Sequence, residues 1–90
     1  MSEPLYVLKS KEGYYYGYFN YLDRENVVMK TKVLHSAILF YKREIENAKK
    51  IILHYDSVYV AAIPYEVEKA NVIKKMKRKI IKNEKETKES

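Results

Sequence analysis

Hydrophobic and polar residues alternate through the first third of the chain, and this pattern predicts three β-strands. Residues 5–10 are mostly apolar, residues 14–20 have very high β propensity, and residues 27–34 alternate between apolar and polar positions. Gly13 supplies the backbone freedom for the first tight turn. Residues 22–26 are polar enough for the second turn. We therefore predict an antiparallel meander of three strands.

The hydrophobic period changes to that of a helix at residue 34. Apolar residues then recur at spacings of three and four, which places them along one stripe of a helix. The stripe consists of Leu34, Ile38, Tyr41, Ile45, Ala48, Ile52 and Tyr55. Ser36 is a suitable N-cap residue. The pattern predicts an amphipathic helix of about 18 to 20 residues that packs on the sheet.

The last third of the chain predicts one more strand and a second helix. Residues 58–63 are rich in β-branched and small residues, which indicates a buried strand. Pro64 ends that strand or occupies the first position of the next helix. Residues 67–82 have helical periodicity with a narrow apolar arc, whereas residues 83–90 contain no apolar residue and are predicted to be disordered.

Together these elements predict an α+β fold in the order β-β-β-α-β-α. A three-stranded antiparallel meander carries an amphipathic helix packed on the sheet, and a fourth strand leads to a basic C-terminal helix. We predict a compact domain over residues 1–68, a basic amphipathic helix over residues 69–82 and a charged disordered tail over residues 83–90.

The charge excess of the chain, +6, lies in its last quarter. Residues 1–68 contain nine basic and nine acidic residues, and residues 69–90 contain nine basic and three acidic residues. A long-range electrostatic role therefore belongs to the C-terminal helix. Such a helix suits nucleic-acid phosphates, an anionic membrane surface or an acidic protein, and it is also compatible with a simple solvated face. The candidate anion-binding residues are Lys74, Lys75, Lys77, Arg78, Lys79 and Lys82.

The apolar arc of the same helix suggests self-association. Ile73, Met76 and Ile80 recur at helical spacing and could pair with a second copy across a two-fold axis. A homodimer is thus a structural alternative to a binding role for the lysines.

The residues needed for catalysis are scarce, so we expect that the protein is not an enzyme and uses no metal and no cofactor. The chain has no cysteine and only two glycines, which excludes thiolate chemistry and a glycine-rich phosphate loop. His35 and His54 lie at opposite ends of the predicted first helix, roughly 28 Å apart. No paired carboxylates or nucleophile motif accompany them.

Composition also predicts where the protein acts. The absence of cysteine fits a reducing cytoplasm, and the first residues lack the basic start and apolar run of a secretory signal. No stretch approaches the roughly 18 apolar residues of a membrane-spanning helix. We expect a cytoplasmic protein without a membrane span.

Tyrosines cluster in the second predicted strand. Strand alternation divides them between two faces, and we predict that Tyr15 and Phe19 point inward beneath the helix. The outward tyrosines could stabilise the strand through cross-strand pairs, form a protein-binding platform or stack on nucleobases. The candidate partner-binding residues are Tyr14, Tyr16, Tyr18 and Tyr21.

The opening hairpin over residues 6–15, the central helix and the segment over residues 62–68 together resemble short accessory proteins of phages and prophages of low-GC Gram-positive bacteria. A high content of Lys, Tyr, Ile and Asn is similar to AT-rich coding. The resemblance implies a protein that binds a host bacterial protein, such as a component of antiviral defence, in the cytoplasm of that host. Our leading hypothesis is therefore a non-catalytic phage or prophage protein that inhibits a host protein. The alternative is a nucleic-acid-binding protein that uses the lysine-rich C-terminal helix.

Overall fold

The protein has the predicted α+β class, with one strand more than predicted. The computed structural model describes residues 3–22 and 25–89, and their side chains up to Lys77 except that of Tyr21. The elements run in the order β-β-β-β-α-β-α. Their bounds are β1 Leu5–Ser10, β2 Tyr15–Tyr21, β3 Glu25–Thr31, β4 Phe40–Tyr41, α1 Ile45–Asp56, β5 Val60–Pro64 and α2 Tyr65–Glu89.

Strand β1 is the centre of the antiparallel sheet. Tyr6 pairs with both Phe40 of β4 and Pro64 of β5, and Leu8 pairs with both Tyr16 of β2 and Ala62 of β5. Because a strand residue has only two edges, β2 and β4 must share one edge of β1 while β5 occupies the other. Strand β3 pairs with β2 along the full length of both strands.

Strand β3 lies slightly earlier in the chain than predicted. It spans residues 25–31 rather than residues 27–34, because the hairpin register pairs Glu25 with Tyr21 and Thr31 with Tyr15. Cross-strand pairing therefore decided where this strand begins and ends, and it outweighed the local alternation pattern.

The prediction of a helix over residues 34–44, the first half of the predicted first helix, is wrong. Residues 34–44 form two short 3₁₀ turns, Leu34–Ser36 and Lys42–Glu44, with β4 between them. Phe40 and Tyr41 pair with the start of β1, and the Phe40 side chain is buried in the core. This long-range pairing outweighs the helical spacing of the segment.

Helix α1 therefore has twelve residues, and Ser36 is not its N-cap. The chain enters α1 through the 3₁₀ turn before it, where the Tyr41 backbone N–H donates to Glu44 Oε1 at 2.8 Å. In the second half of the predicted stripe, Ile45, Ala48 and Ile52 are buried as predicted, whereas Tyr55 at its end is 51% exposed. These three side chains form a core with Leu8 and the aromatic residues of the sheet.

The connection from β3 back to β1 passes β2 at a glycine. Residues 32–39 must cross β2 because β3 lies outside it, and Ile38 lies against Gly17 at the crossing. A Cβ atom on Gly17 would lie 2.6 Å from Ile38 Cβ. That separation is shorter than real carbon contacts, so a glycine lets the connection approach the strand.

Helix α2 starts directly after Pro64 and extends beyond the sheet. The radius of gyration is 16.4 Å, compared with about 12 Å for a compact chain of this length. A helix of this length measures roughly 37 Å, which accounts for the difference. The helix is continuous across residues 68 and 69, and the division of the chain at residues 68 and 82 stays a prediction.

Replacing Gly17 by alanine should destabilise the fold by about 1 to 3 kcal/mol, because Ile38 or the β2 backbone must move. Chemical unfolding followed by far-UV circular dichroism measures this change. Asn20→Ala, an exposed change in the same strand, should alter stability by less than about 0.5 kcal/mol. Equal stability of Gly17→Ala and the wild type would contradict the close approach.

Candidate partner-binding surface

The predicted orientation of the tyrosines in β2 is wrong, because α1 covers the face that was expected to point outward. Tyr16 is only 5% exposed and belongs to the core. The Tyr18 ring stacks on Phe40 with 6.0 Å between ring centroids, and Asn47 Nδ2 of α1 lies 3.4 Å from the Tyr18 hydroxyl. The hydrophobic stripe of α1 thus packs on the side of β2 that carries these tyrosines.

Tyr14, a third candidate, does not form an open platform either. The Tyr14 ring is partly buried, and Lys30 Nζ and Lys32 Nζ lie 4.8 Å and 4.9 Å from its centroid. Such cation–π contacts occupy the ring surface that a nucleobase would need. The Tyr21 side chain lies outside the described residues.

The opposite face of the β2–β3 hairpin carries three exposed apolar side chains. Phe19, Val27 and Met29 are 42%, 38% and 50% exposed, and we call them the hairpin patch. Phe19 pairs directly with Val27, and Met29 pairs with Gly17, so strand alternation places all three on one face. The prediction that Phe19 points inward beneath the first helix is therefore wrong.

A small cleft adjoins the hairpin patch. It has a volume of about 260 Å³ and lies where the 32–39 connection crosses the hairpin. Met29 of the patch lines it together with Gly17, Ser36 and Ile38. This volume is below the usual range for small-molecule sites, so the cleft suits one inserted side chain of a partner better than a free metabolite.

A buried carboxylate joins α2 to the sheet on the face opposite α1. Glu68 is 1% exposed, and its Oε2 accepts a hydrogen bond from the Tyr15 hydroxyl at 2.7 Å and lies 2.8 Å from Lys9 Nζ. Asn71 Nδ2 lies 3.4 Å from Oε1. Tyr15 is thus buried as predicted, but its hydroxyl bonds to α2 and not to α1.

The pKa values of this cluster show how it is stabilised. Burial by itself would raise the pKa of Glu68, but hydrogen bonds from Lys9, Tyr15 and Asn71 outweigh burial and lower it. Burial and the neighbouring Glu68 carboxylate raise the pKa of Tyr15. The cluster therefore holds a charged carboxylate and a neutral phenol at neutral pH, which suits a structural link between α2 and β1.

Sequence reasoning missed this cluster. One signal was present: Tyr65, Glu68 and Val72 follow the three- and four-residue spacing of a single helix face. An acid within such a face requires a buried partner. The partners, Lys9 and Tyr15, lie more than fifty positions earlier and are brought together only by the sheet.

The described part of α2 is basic and carries exposed apolar residues. Its exposed basic side chains are Lys69, Lys74, Lys75 and Lys77. Ile73 and Met76 are also exposed, whereas Val72 is partly buried. The side chains of Arg78, Lys79, Ile80 and Lys82 lie outside the described residues. The homodimer through Ile73, Met76 and Ile80 stays a prediction.

The two histidines do not lie on one helix, which corrects the geometry expected from the sequence. His35 lies in the first 3₁₀ turn and His54 near the end of α1. Among the side chains that the structure describes, no group of three or more acidic or histidine residues is arranged to hold a metal ion.

Comparison with known proteins identifies no relative. No family model matches the chain, and no curated protein or solved structure is significantly similar to it. Across the described residues, no helix is both long enough and apolar enough to cross a membrane.

Replacing Glu68 by glutamine should destabilise the protein by about 2 kcal/mol at neutral pH, because Lys9 and Tyr15 lose a charged partner. The folded-state pKa of Glu68 is below its ordinary value of 4.5, so its contribution is present above that pH and lost as the pH falls below it. The difference in unfolding free energy between the two proteins should therefore shrink as the pH falls below about 4.5. Unfolding in urea across this range measures it.

Glu66→Gln is the matched control, since Glu66 is exposed in the same turn of α2. It should cost less than about 1 kcal/mol, the usual size of a helix-dipole effect. A pH-independent difference between Glu68→Gln and the wild type would contradict a charged Glu68.

Proposed function

We propose that this chain is a non-catalytic protein of a phage or prophage that binds a host bacterial protein and inhibits it. The observation that supports the binding role is the hairpin patch, in which Phe19, Val27 and Met29 are exposed side by side. Contiguous exposed apolar side chains on a small domain usually mark a surface that a partner covers. Aromatic residues and methionine are also enriched at the centres of protein interfaces.

The hairpin patch is well placed to bind without rearrangement. Seven residue pairs hold β2 against β3, and the tyrosines on the reverse side of β2 pack against α1. A surface supported in this way loses little conformational entropy on binding. Leu22 at the tip of the hairpin and Val33 after β3 are exposed as well and add apolar surface at its two ends.

The identity of the partner is proposed on other grounds. Layout and composition resemble phage and prophage accessory proteins, many of which bind a host protein. A defence-system component is the class of target that this resemblance favours. In this proposal the small domain performs no chemistry of its own, and it inhibits the target by occupying the target's surface.

Replacing Phe19 and Met29 together by serine should weaken binding to the host partner at least about 30-fold, which corresponds to roughly 2 kcal/mol for an interface centre. The full chain is used to capture proteins from a lysate of a low-GC Gram-positive host. The captured protein is then identified, purified and titrated by calorimetry. Circular dichroism establishes that the variant keeps its fold.

Ile73→Ser with Met76→Ser is the matched control, since both residues are similarly exposed on α2. It should bind the partner as the wild type does. If the control weakens binding as much as the patch variant, or if the patch variant binds normally, the hairpin patch is not the interface.

A nucleic-acid role is the second candidate, favoured by the exposed lysines on α2. Lys74, Lys75 and Lys77 are exposed on the helix that extends beyond the sheet. Lysine side chains on such a helix can reach backbone phosphates of a duplex, and counterion release makes such binding strongly dependent on salt. Bases would not be read specifically, because lysine lacks the planar fork of arginine.

Changing Lys74, Lys75 and Lys77 to glutamate should remove binding to a DNA duplex at low salt if this second role holds. The slope of log affinity against log salt should decrease by roughly 0.9 for each phosphate that is no longer neutralised. Lys11, Lys42 and Lys50, exposed on the body, provide the matched triple change that should have a smaller effect. Truncation after Glu68 is a poorer test, because it removes Asn71 from the buried cluster. Absence of any gel shift by the wild type at low salt would eliminate the role.

A further inference from the structure

Strand β5 has an open edge and contains no charged residue. Its residues are Val60, Ala61, Ala62, Ile63 and Pro64, and β1 is the only strand of the described ranges that pairs with it. Proteins usually protect such an edge with charged residues in the strand or with covering segments, because an open edge can accept a further strand. The lack of charge in β5 leaves its edge open to a partner.

The register shows which backbone groups face that edge. The Ser10 N–H donates to the Tyr14 carbonyl, so Ser10 directs its backbone toward β2. Alternation along β1 then directs Val7 and Lys9 toward β5, where they pair with Ile63 and Ala61. The remaining residues of β5, Val60 and Ala62, consequently direct their N–H and C=O groups to the open side. The nitrogen of Pro64 faces the same side, where the missing N–H costs no sheet hydrogen bond.

Two depressions flank this edge, one on each face of the sheet. On the α1 side, Lys49, Lys50 and Leu53 line a groove with Val60. On the other face, Lys11, Ala61 and Ile63 are among the residues that line a shallow depression. Tyr59 lines both and is 82% exposed. An added strand would direct alternate side chains toward these two depressions.

The charge around the edge is mainly positive. Lys11, Lys49 and Lys50 have no ion-pair partner within the described part of the chain. Glu46 is the acidic residue that lines the groove on the α1 side. On the other face Lys9 is already neutralised by Glu68. Three unpaired lysines against one glutamate favour an acidic partner.

We propose that the open edge of β5 binds an extended acidic segment of a partner protein as an additional β-strand. Its backbone pairs with Val60 and Ala62, and its acidic side chains lie near Lys11, Lys49 and Lys50. Tyr59 provides apolar contact at the start of the strand. A second copy of this chain fits less well, since it would bring the same three lysines of both copies together.

This surface is separate from the hairpin patch. Strand β3 of the patch lies beyond β2, on the other side of β1 from β5. The two surfaces can therefore be tested independently, and loss of one leaves the other intact.

The test uses the full chain and a fluorescein-labelled peptide of about eight residues, a usual strand length, in which pairs of glutamate alternate with pairs of valine. Each face of the added strand then carries glutamates, so that both depressions receive acidic side chains. Fluorescence anisotropy should show binding that weakens at least tenfold when lysine replaces glutamate in the peptide. A peptide with the same side chains but N-methylated amides should also bind at least tenfold more weakly, because it cannot pair as a strand. Hydrogen exchange should show slower exchange at Val60 and Ala62 when the unmodified peptide is bound.

A charge exchange makes the test specific to this edge. The protein variant Lys11→Glu with Lys50→Glu should lose the glutamate peptide and bind the lysine peptide instead, since both residues are exposed at the edge. Lys74→Glu with Lys75→Glu makes the same change of net charge on α2 and should leave peptide binding unchanged.

Four results of the peptide experiments would overturn the proposal. They are equal binding of the N-methylated peptide, slower exchange in β3 instead of β5, an equal loss with the α2 control, and no binding at all. Protection of Val60 and Ala62 without peptide, together with a dimer in light scattering, would assign the edge to a second copy and also overturn it.

Discussion

The burial of β1 on both faces and along both edges is the constraint on which the rest of this small protein depends. Leu8 lies in the core beneath α1, while Val7 on the other face is fully buried. Three strands pair with β1, two on one edge and one on the other. A chain of ninety residues has limited surface to bury, so it gains most when one strand contacts every other layer.

This central strand also decides which surfaces stay free. Strand β1 pairs with β2 only at Leu8–Tyr16 and Lys9–Tyr15, whereas β3 pairs with β2 along its whole length. The hairpin therefore extends past the central strand, and its outer apolar face carries the exposed patch. On the other edge, β5 is the last strand in the described part of the chain, and its backbone is open. The two surfaces proposed for protein partners lie where the layers around β1 end.

The buried cluster of Lys9, Tyr15 and Glu68 gives α2 its direction. A charged carboxylate beneath the first turns of a helix is stable only when several donors satisfy it, and these donors come from β1, β2 and α2 itself. The strength of such hydrogen bonds depends on the distance and angle between donor and acceptor, whereas apolar packing is less directional. The cluster thus aligns the helix with the sheet, and the exposed lysines farther along α2 are held away from the body of the protein.

Local pattern in the amino-acid sequence determined the α+β class, the three opening strands, the buried stripe of Ile45, Ala48 and Ile52, and the basic character of α2. Periodicity divides a strand into two faces but does not say which face a helix will cover, so the exposed side of β2 was decided only when α1 packed on Tyr16. The pairing of Phe40 with Tyr6 and the contact between Glu68 and Tyr15 join residues far apart in the chain. Such contacts depend on the closure of the sheet, and tertiary structure alone decided them.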